Sequence, residues 1–351
     1  MKLIIFPFIA FLISFLLFPV MIKIFMQMKW FDAPGTHKIH SDFVPSMGGV
    51  VILFGTSLAL LMALPLVQWL GMRYFFISVA LMFLIGLRDD VLALTPRQKL
   101  FSQFLPVFVL VLLDNTKLVS LYDISSNPFP TLLTYFVSLF TVIIVTNAYN
   151  LIDGIDGLAG TIGLIVLTCF GVWFYMAEQP FLSLIALCFA GSLLAFLFFN
   201  WEPSSIFMGD TGALTVGLIV SFFAIRFINL NFELPEGHIA KFAASISTAI
   251  CLLIIPVFDT LRVIIIRLRK LQSPFHADRN HLHHRLLALG LRHSGAVKWL
   301  AGINVFFILF AFAMKNVGDG IFLPLILAIC LLISFALKWK QNSLAKSVKN
   351  A

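Results

Sequence analysis

Five aspartates stand next to long apolar segments of this chain, and their types and spacing suit a cation site. They are Asp89, Asp90, Asp153, Asp156 and Asp210. A carboxylate next to hydrocarbon is costly unless it faces a cavity or pairs with a cation. These acids occur as an adjacent pair, as a DxxD pair and as a single acid between glycines. The pattern therefore favours a site over interface charges or helix caps. Converging carboxylates without cysteine favour Mg²⁺ or Mn²⁺ over zinc.

Glycines accompany two of these acidic segments. Gly154 and Gly157 alternate with the acids of the DxxD pair, and Gly209 and Gly212 lie on either side of Asp210. Glycine lets backbone N–H groups approach phosphate oxygens or turn tightly. The signal is weak alone, because glycine is also frequent in membrane helices. In combination with the acids, it favours a phosphate ligand.

The most basic segment of the chain, residues 267–298, carries a histidine motif. This HLHH motif contains His281, His283 and His284 and follows Arg279. Two interpretations stay open: the first and last histidines could share a helical face as metal ligands, or the imidazoles and arginines could contact phosphate. We favour phosphate, because no cysteine and only one nearby acid are present to complete a zinc site. Acids for a metal and bases for phosphate together predict phosphoryl transfer.

Membrane helices must position these residues. Of the 351 residues, 60% are apolar and 11% are charged, whereas a soluble domain has about 25% charged residues. This composition excludes a soluble globule, a disordered chain and a nucleic-acid-binding module. The four cysteines are scattered singly through apolar segments, which is typical of packing residues and not of disulfides or a zinc site.

Eleven apolar segments are candidates for membrane-spanning helices, and a count of ten is the alternative. They are Leu3–Met28, Met47–Leu66, Trp69–Leu87, Leu100–Leu113, Leu132–Ala148, Thr161–Met176, Phe181–Phe199, Leu214–Ile228, Phe242–Ile266, Trp299–Met314 and Ile321–Leu337. The first is too long for a signal peptide, and no cleavage site follows it. The predicted fold is therefore an all-α, polytopic integral membrane protein in which residues 1–351 form one transmembrane catalytic domain.

Lysine and arginine are distributed unevenly between alternate connections. Of the 24, sixteen lie in the odd-numbered connections and the C-terminus, five in the N-terminus and the even-numbered connections, and three within spans. Basic residues accumulate on the cytoplasmic side, which predicts an outside N-terminus and a cytoplasmic C-terminus. The polar motifs all fall in odd-numbered connections, at residues 29–46, 88–99, 147–160, 200–213 and 267–298. Phosphoryl transfer at such a membrane face indicates that one substrate is a lipid.

A secondary transporter for an anionic substrate is the rival class. Transporters also bury acids in multispan bundles, but their sites lie near the bilayer midplane and often on broken helices. Here the acids crowd one predicted face, and the centres of most spans lack charge. A membrane metal sensor, the third class, does not need five converging connections. The pattern therefore favours an enzyme that works at the membrane interface.

The polar motifs resemble those of a known enzyme family. PSMGG, GLRDD, NLIDGIDGLAG, FMGDTG and DRNHLHHRL occur in this order, and the chain resembles the polyprenyl-phosphate N-acetylhexosamine-1-phosphate transferases of the glycosyltransferase 4 family. The resemblance implies transfer of a sugar 1-phosphate from a UDP-sugar to undecaprenyl phosphate, with release of UMP and with Mg²⁺ (or Mn²⁺ as a substitute). It also implies a bacterial inner membrane location, with the active site facing the cytoplasm.

The histidine motif distinguishes two branches of that family. HLHH resembles the branch that makes undecaprenyl-pyrophosphoryl N-acetylglucosamine for surface polysaccharides. The sister branch, phospho-N-acetylmuramoyl-pentapeptide transferase, typically has three successive histidines, whereas Leu282 interrupts the run here. We therefore expect UDP-N-acetylglucosamine as the donor and keep the sister activity as the alternative. A nucleic acid partner is not expected, and the oligomeric state, a homodimer included, stays open.

The resemblance implies roles for individual residues. The implied catalytic residues are Asp89, Asp90, Asp153, Asp156 and His281. The implied magnesium ligands are Asn150, Asp210 and Asp90. The implied substrate-binding residues are Lys38, His40, Asn200, Phe207, Arg279, His283 and His284. One departure concerns the first loop, which commonly reads RKxH in the family and has His37 in place of the arginine here.

The expected mechanism is a single in-line displacement. An oxygen of the lipid phosphate, deprotonated or oriented by Asp89, attacks the β-phosphorus of a donor whose pyrophosphate is held at the metal. A covalent aspartyl-phosphate path stays open. Asp259 and Arg262 lie one helical turn apart in the ninth predicted span. They form a structural ion pair or line the lipid cleft, and the sequence favours the ion pair.

Overall fold

The protein is a bundle of helices whose ends bring the polar motifs together. It is a computed structural model that describes residues 1–28, 44–125, 127–272 and 281–350, with side chains as far as residue 343. The helices are α1 (Lys2–Gln27), α2 (Gly48–Ala63), α3 (Leu66–Gly71), α4 (Arg73–Val91), α5 (Pro96–Phe108), a π-helical turn (Val109–Leu113), α6 (Thr131–Ile152), α7 (Leu158–Met176), α8 (Pro180–Asn200), α9 (Gly209–Glu233), α10 (Ser245–Leu252), α11 (Ile254–Arg269), α12 (Leu282–Ala288), α13 (His293–Ala313) and α14 (Asp319–Asn350).

Within the described ranges, seven helices are long and apolar enough to cross a membrane: α1, α6, α7, α8, α9, α13 and α14. The bent pair of α10 and α11 makes an eighth if it is counted as one span. The all-helical, multi-pass class is therefore confirmed, whereas eleven spans and the orientation of the termini stay predictions. The second predicted span is the 16-residue α2, the third is divided between α3 and α4, and the fourth is α5 with the π-helical turn.

The ninth predicted span, Phe242–Ile266, is not one continuous helix. It divides at Leu253 into α10 and α11, whose axes differ by 88°. Pro256 has no N–H to donate to the carbonyl of Leu252, four residues earlier. The side chain of Asn304 in α13 donates to that carbonyl instead, at 3.1 Å. The bend is thus stabilised by a hydrogen bond from a neighbouring helix.

Helix α9 forms the centre of the bundle. In its most apolar stretch of 18 residues, 83% of the residues are buried. The helix packs against both α4 and α6. Gly86 allows α4 to approach closely, because a Cβ at this position would lie 2.5 Å from the backbone oxygen of Asp210. The end of α4 that carries the two adjacent aspartates therefore lies against the first turn of α9.

Several polar residues lie on helices and not in the connections where the sequence placed them. Helix α4 continues to Val91 and includes Asp89 and Asp90, α6 continues past Asn150, and α9 already begins before Asp210. Hydropathy marks the apolar core of a helix, whereas the helix itself ends where its backbone hydrogen bonds end. The predicted connections are therefore longer than the real ones, and the site is built on helix ends.

Candidate active site

The two adjacent aspartates of α4 have different environments. Both oxygens of Asp90 bind the first turn of α9: Oδ1 accepts from the N–H of Asp210 at 2.7 Å, and Oδ2 accepts from the N–H of Thr211 at 2.9 Å and from its hydroxyl. Carboxylates stabilise helix N-termini in this way. The structure thus gives Asp90 the role of fixing the start of α9, while its predicted metal and catalytic roles stay predictions.

Asp89 faces a lysine that the sequence analysis did not select. Its Oδ1 accepts from the N–H of Leu94 at 2.7 Å, and its Oδ2 lies 3.1 Å from the ammonium of Lys99. The same ammonium donates to Oδ1 of Asp210. Lys99 therefore bridges two of the five predicted acids, which supplies the cation that converging carboxylates require.

Lys99 could have been found from a helix-capping signal. Thr95 and Gln98 form a capping box in which each side chain accepts from the backbone N–H of the other residue. The pattern TPRQ therefore starts α5 at Pro96 and places Lys99 in its first turn, beside the end of α4.

Asn150 lies next to Asp210 on the other side. Its Nδ2 donates to Oδ1 of Asp210 at 2.6 Å. One turn earlier in α6, Asn147 exchanges hydrogen bonds with Gln103 of α5 at 2.7 and 3.3 Å. These amides hold α5 and α6 side by side, so Lys99 and Asn150 approach Asp210 together.

Asp153 follows directly after α6 and is half-buried. Burial and then the nearby carboxylates of Asp210, Asp90 and Asp156 raise the pKa of Asp153 to about 8. A carboxyl group in this position accepts a proton near neutral pH more readily than an ordinary aspartate does. Asp153 therefore suits proton transfer or contact with a phosphate oxygen.

Asp156 and Asn200 bind neighbouring segments of the protein. Oδ2 of Asp156 lies 3.5 Å from Nδ1 of His293, the first residue of α13. The amide of Asn200 accepts from the N–H of Gly157 and donates to the carbonyl of Ile206, both at 2.8 Å. These contacts join the NLIDGIDG loop to the ends of α8 and α13.

The PSMGG and FMGDTG segments pair through their backbones. Phe207 donates to the carbonyl of Pro45 at 2.8 Å, and its own carbonyl accepts from Gly48 at 2.9 Å. Gly209 has φ +71, and a Cβ there would lie 1.9 Å from the oxygen of Ser46. The ring of Phe207 is half-buried. This pairing fixes the chain immediately before Asp210.

The histidine motif lies against the NLIDGIDG loop. The rings of His281 and His283 stack with centroids 5.7 Å apart, and a Cβ on Gly154 would lie 2.6 Å from Nε2 of His283. Burial, followed by the charge of His284, lowers the pKa of His283 to about 3. His283 is therefore neutral at physiological pH, so a phosphate contact would use its N–H and not a full charge.

All of the predicted site residues except three lie within the described part of the chain. The acids and Asn150 meet at one end of the bundle, as do Asn200, Phe207 and the three histidines. Asn200, Asp90 and Asp156 bind protein atoms with their polar groups. Lys38, His40 and Arg279 lie outside the described residues.

A divalent cation suits the donors around Asp210. In the described part of the chain, no three acidic, histidine or cysteine side chains are close enough to hold a metal ion by themselves. Mg²⁺, however, commonly uses one or two carboxylates together with substrate phosphates. Asp210 provides carboxylate oxygens, and the Lys99 ammonium between Asp89 and Asp210 already occupies a cation position. The amide of Asn150 presents its NH₂ group to Asp210 and would turn over to offer its oxygen to an ion. The residues therefore fit the ion.

Fold and site define the chain as a multi-pass membrane enzyme with an acidic, phosphate-compatible site at one end of its helices. Comparison with known proteins agrees: residues 72–228 match glycosyl transferase family 4. The chain is 30% identical over 318 residues to the probable undecaprenyl-phosphate N-acetylglucosaminyl 1-phosphate transferase of Bacillus subtilis (strain 168), covering 88% of this chain and 85% of the relative. The chain belongs to glycosyl transferase family 4, which confirms the resemblance seen in its motifs.

Two further relatives represent the two branches. The undecaprenyl-phosphate alpha-N-acetylglucosaminyl 1-phosphate transferase of Yersinia pestis is 26% identical over 278 residues, which is 76% of this chain and 72% of the relative. The phospho-N-acetylmuramoyl-pentapeptide-transferase of Clostridium beijerinckii is 31% identical over 242 residues, which is 62% of this chain and 71% of the relative. Membership of this family makes the chain a transferase of phosphorylated sugars and excludes the transporter interpretation.

Proposed function

We propose that this enzyme transfers N-acetylglucosamine 1-phosphate from UDP-N-acetylglucosamine to undecaprenyl phosphate, releases UMP, and so initiates a surface polysaccharide. Two relatives that match most of the chain are N-acetylglucosaminyl 1-phosphate transferases. The HLHH motif, in which Leu282 separates the first histidine from the other two, also supports this branch. The observation that carries the proposal is the contact of Lys99 with both Asp89 and Asp210, beside Asn150.

The acidic cluster provides separate positions for a metal and for an acceptor. Asp210, together with the amide oxygen of Asn150 once that amide has turned over, would hold Mg²⁺, which when bound neutralises charge on the phosphate oxygens of the donor. Asp89 is held in place by the N–H of Leu94. Its other oxygen faces Lys99 and serves to orient the lipid phosphate or to accept its proton.

Lys99 gives the acidic cluster a positive charge that does not depend on a bound metal. Its ammonium contacts Asp89, which we assign to the acceptor, on one side and Asp210, which we assign to the metal of the donor, on the other. Phosphoryl transfer depends mainly on such positioning and charge neutralisation. Lys99 therefore lowers the repulsion between the attacking phosphate and the pyrophosphate.

The donor occupies the surface between the NLIDGIDG loop and the histidine motif. Gly154 lets His283 approach the loop, and we assign His281, His283 and His284 to the pyrophosphate and sugar. Asn200 acts indirectly, because its amide holds the backbone of Gly157. Phe207 is assigned to the nucleoside, where an aromatic ring can stack on uracil.

A donor comparison tests the proposed reaction. Purified enzyme in detergent with undecaprenyl phosphate and Mg²⁺ should release UMP from UDP-N-acetylglucosamine, and the product should be a lipid-linked sugar diphosphate. Activity only with UDP-N-acetylmuramoyl-pentapeptide would assign the chain to the sister branch, which the relative from Clostridium beijerinckii represents. Omission of the lipid phosphate is the control, because transfer to water would also release UMP.

Cysteine labelling tests the proposed cytoplasmic location of the site. Ser205 is exposed and lies beside the site. Glu236 lies beyond the far end of α9, and its side chain is 91% exposed. In a variant without native cysteines, an impermeant maleimide added to intact spheroplasts should label Glu236→Cys but label Ser205→Cys only after permeabilisation. The reverse pattern would place the site on the outer face of the membrane. Both variants should retain transferase activity.

A further inference from the structure

A buried carboxylate outside the acidic cluster binds the histidine motif. Asp259 in α11 has 1% of its surface exposed. Its Oδ2 lies 2.9 Å from Nδ1 of His281, and its Oδ1 accepts from the N–H of Leu282 at 3.0 Å and from Arg262 at 2.7 Å. The carboxylate therefore contacts the first histidine of HLHH, the start of α12 and a cation of its own helix.

These contacts determine which nitrogen of His281 carries a proton. A carboxylate that already accepts from Arg262 and from a backbone N–H is ionised and can only accept hydrogen bonds. Nδ1 of His281 must therefore be the donor, so in the neutral ring Nε2 carries no proton and can accept a hydrogen bond. A carboxylate partner fixes the tautomer and the ring orientation of histidine in the same way in other catalytic sites.

The oriented ring is connected to the rest of the donor site. His281 stacks on His283 with the ring planes 9° apart, and His283 lies against Gly154 of the NLIDGIDG loop. Rotation of the His281 ring would disturb this stack. Asp259 is thus placed to control two histidines, although it contacts only one of them.

We propose that Asp259 is a positioning residue of the transferase, which keeps the proton of His281 on Nδ1 and holds its ring over the donor. The ion pair with Arg262 neutralises the buried carboxylate, but forming this ion pair is not the only role of Asp259. This inference rests on the proposed contact of His281 with the donor. It extends the sequence analysis, which favoured a structural ion pair for these two residues.

A double-mutant cycle tests the proposal. In Asp259→Asn, the amide oxygen can still accept from Leu282 and Arg262, so its NH₂ group faces Nδ1 of His281 and forces the proton to Nε2. We expect kcat to fall about 10²–10⁴-fold, which is the contribution of a positioned acid–base group, because a histidine in the wrong tautomer cannot act. KM for UDP-N-acetylglucosamine should change less than about threefold. His281→Gln should cause a similar loss of kcat. The double variant should have a kcat no lower than that of the less active single variant.

Two variants separate this role from a structural one. Arg262→Gln removes the ion pair but leaves the Asp259–His281 contact, so kcat should fall less than in Asp259→Asn. Asp319→Asn is the matched control, because Asp319 is also buried and accepts the N–H groups of Ile246 and Ser247 in α10. It should lower the thermal unfolding temperature and leave kcat within about twofold, since its hydrogen bonds go to α10 and not to the histidine motif.

The outcomes are distinguishable. If the losses of Asp259→Asn and His281→Gln multiply, or if Arg262→Gln matches Asp259→Asn, then Asp259 acts only through the ion pair and the inference is wrong. If His281→Gln retains full activity, the assignment of His281 to the donor is wrong, although the proposed overall reaction stands. A wild-type protein without transfer from UDP-N-acetylglucosamine would instead overturn the proposed function itself.

Discussion

The variant Asp210→Asn is expected to need at least about 10–100 times more Mg²⁺ for half-maximal transfer, because affinity falls by that factor even when only an indirect partner of a metal ligand is lost. The amide keeps an oxygen donor beside Asn150 but loses the negative charge that favours a hard cation. High Mg²⁺ should therefore restore part of the rate. Titration of UMP release with Mg²⁺ measures both effects, and Asp123→Asn at the other end of the bundle controls for the loss of an aspartate.

Asp89→Asn should give a different defect. If Asp89 accepts a proton, kcat should fall about 10²–10⁴-fold with little change in the Mg²⁺ requirement. A phosphate monoester loses its second proton near pH 6, so the defect should shrink at higher pH, where the acceptor is already ionised. Rescue of the Asp89 variant by Mg²⁺, without rescue of the Asp210 variant, would exchange the two assignments.

Lys99→Met is expected to lower kcat/KM about 10²–10³-fold, which is the usual effect of removing one group that stabilises transition-state charge. The change leaves Asp89 and Asp210 facing each other without the ammonium that bridges them. Lys99→Arg should retain more activity because it keeps the positive charge, although a planar guanidinium cannot reproduce the geometry of an ammonium.

The matched control for Lys99 lies at the opposite end of the bundle. Lys241 pairs with the exposed Glu236 at 3.1 Å, so Lys241→Met removes a lysine from an ion pair outside the site and should leave transfer unchanged. Steady-state kinetics at several Mg²⁺ concentrations compare these variants. Full activity of Lys99→Met at ordinary Mg²⁺ would show that the bridge is dispensable and that its proposed role is wrong.

The class of fold and the selection of the acids could be predicted from residue types alone. Apolar length identifies membrane helices, and acids beside such segments need a cation or a cavity. Asp210 was selected in this way, whereas Asn150 was selected only through the family resemblance; the structure places the two side chains 2.6 Å apart. The family motifs added roles that the residue types do not determine.

Other features depend on geometry that one-dimensional patterns do not contain. Asp89 and Asp90 are identical in type, yet one faces Lys99 and the other binds the backbone of α9. Adjacent side chains point about 100° apart around a helix axis. Only the position of α9, however, decides which of the two aspartates contacts it. The bend at Leu253 likewise depends on Asn304, a residue 51 positions away in sequence.

The way in which Asp90 holds the start of α9 has a consequence for ion exchange. The position of Asp210 depends on its backbone N–H, which donates to Asp90, and on the close approach of Gly86. Its carboxylate is therefore not needed to anchor the helix, and it can release Lys99 and bind another cation while the backbone stays in place. Exchange of the cation should thus leave the first turn of α9 in place, so that each catalytic cycle can reset without rebuilding the site.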